Sequence, residues 1–212
     1  MKPKLLLGLA LVLCGNSFAA IVYPQAPDGG QPMVYHLANM SPQQVPGFFG
    51  GLRAEDLTIA EPYQSYHVGT TNLLAGKLVA TAKVGNGGGW QYLLTHETNE
   101  VGIAYLKADE KTGKALKCYQ IGPYHHGRLE ALRIAEQLPQ VKKQDYELRS
   151  LDLPWFFFQA VWLHGKSDDI FIPLPDNWNR WKAYQPFSES EMIKILKPIA
   201  QEKLNQPPGL PD

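Results

Sequence analysis

The chain has 212 residues, 20 basic side chains against 20 acidic ones, and two cysteines. That length suits one domain, or one domain with an arm. With charge balanced and no basic run longer than Lys142-Lys143, the clustered Lys/Arg surface that nucleic-acid phosphates call for is missing, so no nucleic-acid partner is expected.

The first element is a leader. Lys2 and Lys4 precede an uncharged apolar run over 5–13, and Ser17-Phe18-Ala19 has the small-x-small form of a cleavage site. Residues 1–19 therefore read as a secretory signal peptide, too short in its apolar part to span a bilayer, and no transmembrane segment is expected after cleavage. Leu13 before Cys14 is larger than the residue a lipid-attachment cysteine usually follows, which argues against a lipid anchor. Removing the leader takes away two lysines and Cys14. Cys118 alone remains, so the exported domain, periplasmic or secreted, has no intrachain disulfide and must rest on its core.

Residues 20–76 are dense in proline and glycine. They read as an irregular arm packed on the domain, with only weak strand signals at 57–59 and 65–68. Regular structure is expected over 77–204. Alternation over 77–84, 90–95, 101–107 and 115–121, separated by Gly/Asn/Asp turns, predicts a four-stranded antiparallel meander. The period then changes to 3.6, and Leu129, Ala131, Leu132, Ile134, Ala135 and Leu138 describe a helix over 127–138, stopped by Pro139.

Residues 146–153 lead into an aromatic run at 155–164 that, read as one strand, is apolar on both faces. Trp155, Phe157, Val161 and Leu163 point one way, and Phe156, Phe158, Ala160 and Trp162 the other. Burying them would be worth about 10–20 kcal/mol as an upper estimate, which makes this run the expected core strand. A turn at 165–169 pairs it with residues 170–172. Ser188-Glu189-Ser190-Glu191 is a capping box opening a last helix that Pro198 should kink or shorten. Residues 205–212 read as a disordered tail. The fold class is α+β: an antiparallel sheet of six to eight strands in the order ββββα-βββ-α, with two main helices and the N-terminal arm.

Chemistry is harder to locate. His96-Glu97-Thr98-Asn99-Glu100 begins like a zinc-protease motif, but its fifth position is glutamate and it runs from a strand into a turn. Residues 85–89 are glycine-rich without the Lys-Ser/Thr of a phosphate loop. Tyr124-His125-His126-Gly127-Arg128 stands where a strand hands over to a helix. There His125, His126 and Arg128 form a candidate anion- or ligand-binding site. The aromatic run and the loop after it supply a candidate pocket, with Trp155, Gln159, His164, Trp178 and Trp181 around an apolar space. No catalytic residue, metal ligand or cofactor is assigned. The expected role is a non-catalytic binding or accessory protein for a protein partner or a small apolar ligand. The alternative is a hydrolase or a metal- or anion-dependent enzyme centred on His125, His126 and Arg128.

Overall fold

The structure is a computed structural model that describes residues 20–44, 49, 51–85, 89–122, 127–176 and 178–205, without the side chains of 41–44 and 119–122. The leader, the tail beyond 205, and both His125 and His126 lie outside the described residues. In chain order the elements are β1 (Ile21–Val22), α1 (Gly30–Gln44), β2 (Thr58–Ile59), β3 (Tyr63–His67), α2 (Thr70–Leu74), β4 (Lys83–Val84), β5 (Trp90–His96), β6 (Asn99–Ala108) and β7 (Ala115–Gly122). They continue as α3 (Arg128–Gln137), β8 (Tyr146–Leu153), β9 (Phe158–Gly165), β10 (Asp169–Pro173), β11 (Phe187–Ser188) and α4 (Glu189–Asn205).

Among the described residues the strands form one 11-stranded sheet with the main order β11-β10-β9-β8-β3-β5-β6-β7. The fold is α+β and mostly antiparallel, as expected, but larger than six to eight strands. The meander survives as β5, β6 and β7. Its first expected strand does not: residues 79–81 form a 3-10 turn, and only Lys83 and Val84 pair, with β3. The two halves of the sheet meet at a parallel seam, where Gln64, Ser65 and Tyr66 of β3 lie beside Arg149, Ser150 and Leu151 of β8.

The segment expected to be irregular thus supplies the middle strand. It also supplies α1, which buries Val34 and Ala38 with Met33 and Leu37 packed beside them. Proline density obscures that stripe, yet Pro32 sits in the first helical turn, where a missing amide costs nothing. The helix opens on Gly30, where a Cβ would run into the Tyr92 hydroxyl.

The aromatic run is corrected too. Leu153 pairs with Phe158 across a β8–β9 hairpin, so residues 154–157 are its loop and not part of a strand. Pro154 ends β8 by opening a 3-10 turn, its fixed φ and absent amide suiting the first helical position. Phe157 follows in the left-handed region at φ 49°. The consequence is exposure: Trp155 is 78% accessible and Phe157 49%, where a two-faced strand would bury both. From Phe158 onward the reading holds, with Leu163 opposite Ile170 as expected for the next hairpin.

Three clusters make the core. One face of the sheet carries α3 over Tyr63, Leu93, Ile103, Tyr146, Leu148, Val161 and Leu163. The other carries α1 over the β5–β6 half and α4 over Phe158, Trp162 and Phe171. The capping box forms, with Ser188 N–H donating to Glu191 Oε2 at 2.8 Å and Glu191 N–H to Ser188 Oγ at 3.4 Å. Pro198 does not stop α4, which runs through it to Asn205.

Candidate functional site

Strand registers place a polar stripe on the face beneath α3. Tyr105 lies opposite Gln91 and Gln91 opposite Tyr63; one step along, Ser65 stands beside Ser150, and Asp152 opposite Gln159. Since side chains alternate along each strand, all of these point to the same side, the side α3 covers. A buried polar stripe must be satisfied internally, and Asp152 is where its bonds converge. One carboxylate oxygen accepts from Ser65 Oγ and from Gln91 Nε2 at 2.6 Å. The other accepts from Ser150 Oγ at 3.2 Å and Arg128 Nη2 at 3.4 Å.

Arg128 is the first residue of α3 and is 1% exposed. It reaches down into the stripe, donating also to Gln159 Oε1 at 3.2 Å and Ser150 Oγ at 3.4 Å. Burial opposes its charge, but Tyr63, Asp152, Tyr105 and Glu100 more than offset that and hold its pKa above the ordinary arginine value. Tyr63 answers in kind: desolvation pushes its phenol far above the usual tyrosine range, with the Arg128 charge only partly countering. The Tyr63 hydroxyl, Gln91 Oε1 and Glu100 Oε1 are buried without a hydrogen-bond partner among the described residues.

The entry to α3 is fixed from another strand. Gly127 sits at φ 115°, where a Cβ would also meet the Tyr184 hydroxyl, so no capping side chain can stand there. Glu100 of β6 caps the helix instead, its Oε2 accepting from the Gly127 and Leu129 amides at 3.0 and 3.2 Å. His96 and Glu97 lie at the β5–β6 hairpin, with His96 opposite Asn99 and Glu97 at φ 52°, so the zinc-protease-like stretch is a turn.

Above the stripe the chain opens at the carboxyl ends of β3 and β8. β3 is flanked on its other side by β5 and β8 by β9, and the segments that follow β3 and β8 stand on either side of a crevice at this end of the pair. A cavity of about 450 Å³ occupies it, walled by Ser65 and residues 67–70 on one side and residues 152–156 on the other. A second hollow of about 190 Å³, bounded by Asp152, Pro154, Phe157, Phe158 and Gln159, borders the same hairpin loop. Asp152 and Pro154 border both. Phe157 rests against Trp178, ring centroids 5.4 Å apart, and Arg180 lies 4.6 Å from the Trp178 ring.

The structure therefore gathers part of the expected pocket. Trp155 and Gln159 border the two hollows, and Trp178, 56% exposed, stands beside Phe157. Trp181 is beneath them in the core, edge-on to Phe158 and donating to the Leu174 carbonyl at 2.7 Å. His164 is at the opposite end of β9, sharing Asp169 with the Trp162 indole at 2.7 Å from each. Arg128 faces inward, bound to Asp152. Sequence reasoning missed Asp152, Ser65 and His67. The one available signal was Pro154 closing a strand before two aromatics, which marks an apolar hairpin loop.

A larger cleft of about 960 Å³ lies between residues 25–28 and the β6–β7 turn at 108–113. Its Asp109 carboxylate is committed to the Lys111 and Thr112 amides of its own turn, at 3.0 and 2.7 Å. No protein-family model matches the chain, and no curated protein or solved structure matches it either. Among the described residues no helix is long and apolar enough to cross a membrane.

Proposed function

We propose that this is an exported, non-catalytic binding protein whose ligand sits in the crevice at the carboxyl ends of β3 and β8. The observation that carries this reading is the β8–β9 loop: it holds Trp155, 78% exposed, against a cavity of about 450 Å³, and Phe157, 49% exposed, against the smaller hollow of about 190 Å³. A hairpin loop built of exposed aromatics loses hydrophobic stabilisation that burial would have supplied, roughly 1.5–3 kcal/mol for a side chain of this class. Phe157 in addition holds a left-handed conformation that an ordinary side chain disfavours by roughly 1–2 kcal/mol. Strain and exposure together at the rim of a cavity fit a contact surface for a ligand.

Asp152 supports a binding reading over an enzymatic one. Four donors occupy its carboxylate, leaving it an organiser of the cavity floor and not a poised acid or base. Export rests on the form of residues 1–19. The test is a thermal-shift titration with indole and p-cresol, aromatic probes that each carry one polar hydrogen. Both raise the melting temperature of the wild-type protein and leave that of Trp155→Ala unmoved; equal shifts in the two proteins overturn the assignment of the crevice.

A further inference from the structure

We infer that the crevice takes a neutral sugar ring, a pyranoside stacked on Trp155. This rests on the binding reading above and narrows it to one ligand chemistry.

Charge decides first. Among the described residues the walls of the two hollows contain no lysine or arginine and a single acid, Asp152. An anionic ligand in the larger of the two would find no cation on its walls, and the cations near the smaller one, Arg180 and Lys203, lie over the Trp178 and Phe157 rings at 4.6 and 6.0 Å. A cationic ligand would compete for a carboxylate that Arg128 already neutralises and four donors already occupy. The site is thus built for a molecule without net charge.

Polarity decides next. The His67 ring, the Thr70 hydroxyl and the Trp155 indole N–H have no hydrogen-bond partner among the described residues, and all three belong to residues that wall the larger cavity. Ser65 Oγ gives its proton to Asp152 and keeps lone pairs for an incoming donor. A wholly apolar ligand would strip water from these groups and return nothing. The ligand must therefore present hydroxyls or similar groups that both donate and accept.

Shape supplies the third condition. One wall is a broad indole whose π face carries partial negative charge. A pyranoside matches all three conditions: it is uncharged, hydroxyls ring its edge, and its axial C–H groups make one face weakly positive and apolar. The smaller hollow, which shares Asp152 and Pro154 with the larger and has Gln159 and Phe157 on its border, offers room for a second ring.

The test is saturation-transfer NMR on the purified protein with two probe sets. One set holds methyl α- and β-glucopyranoside, methyl β-galactopyranoside, N-acetylglucosamine, cellobiose and maltose; the other holds indole and p-cresol. The expected result is transfer to the ring C–H protons of at least one sugar, weakened about five- to tenfold in Trp155→Ala, as loss of one aromatic contact implies. Thr70→Val weakens it while leaving the indole signal in place. Transfer confined to indole and p-cresol, and dependent on Trp155, overturns the sugar assignment and leaves the binding crevice standing. Loss of Trp155-dependent transfer in both sets overturns both.

Discussion

Arg128 and Asp152 are the residues on which the interior depends. Their side chains are 1% and 13% exposed, and they bind each other at 3.4 Å. Removing one partner leaves the other charged and buried, so Arg128→Ala and Asp152→Ala should each cost about 3–5 kcal/mol in denaturant unfolding. A loss under about 1 kcal/mol would mean that water already reaches the pair. Tyr63 is the opposite case. Its hydroxyl is buried without a partner among the described residues, so Tyr63→Phe removes a desolvation cost and should leave the protein as stable as before or more so. The same substitution reads out on pH. Because the folded pKa is raised above the unfolded value of about 10, the stability linked to Tyr63 is fully present below that pH and is lost as pH rises toward the folded value. Alkaline unfolding curves should therefore be shallower for Tyr63→Phe above about pH 10, and identical limbs would contradict the burial assigned to this phenol.

At the scale of elements, the β8–β9 loop carries the conflict between stability and use. Phe157→Gly relieves the left-handed strain at φ 49° and should raise stability by up to about 1 kcal/mol in urea unfolding, while weakening ligand binding by removing the ring beside Trp178. A clear drop in stability would show that the Phe157–Trp178 contact outweighs the strain. This loop also shows where sequence reasoning fails. Turn signals are learned from glycine, asparagine and aspartate, and Pro154-Trp155-Phe156-Phe157 offers only proline, so an apolar hairpin tip reads as the middle of a buried strand. The helices and the meander were legible because a 3.6 or 2 residue period survives in each: α3, α4, β5, β6 and β7 lie close to where alternation puts them. α1 was not, since prolines and glycines around its Met33, Val34, Leu37 and Ala38 stripe hide the period.

Across the whole molecule, what the sequence could not show is pairing. β3 was expected within an irregular arm, yet it joins the two halves of the sheet, and its parallel register with β8 brings Ser65 beside Ser150. Long-range register is set by the summed fit of all strands and leaves no local mark, so Asp152, Gln91 and Ser65 each look like ordinary polar positions until the seam assembles them. The candidate site inherits this: Trp155, Gln159 and Trp178 stand out by composition, whereas the crevice that Trp155 borders is found only once the parallel pair is in place. Location is therefore the central claim, and crystallographic fragment soaking tests it most directly. Small uncharged fragments should collect between residues 67–70 and 152–156, against Trp155. Fragments collecting instead in the larger cleft between residues 25–28 and 108–113, with the seam crevice empty, would contradict the account.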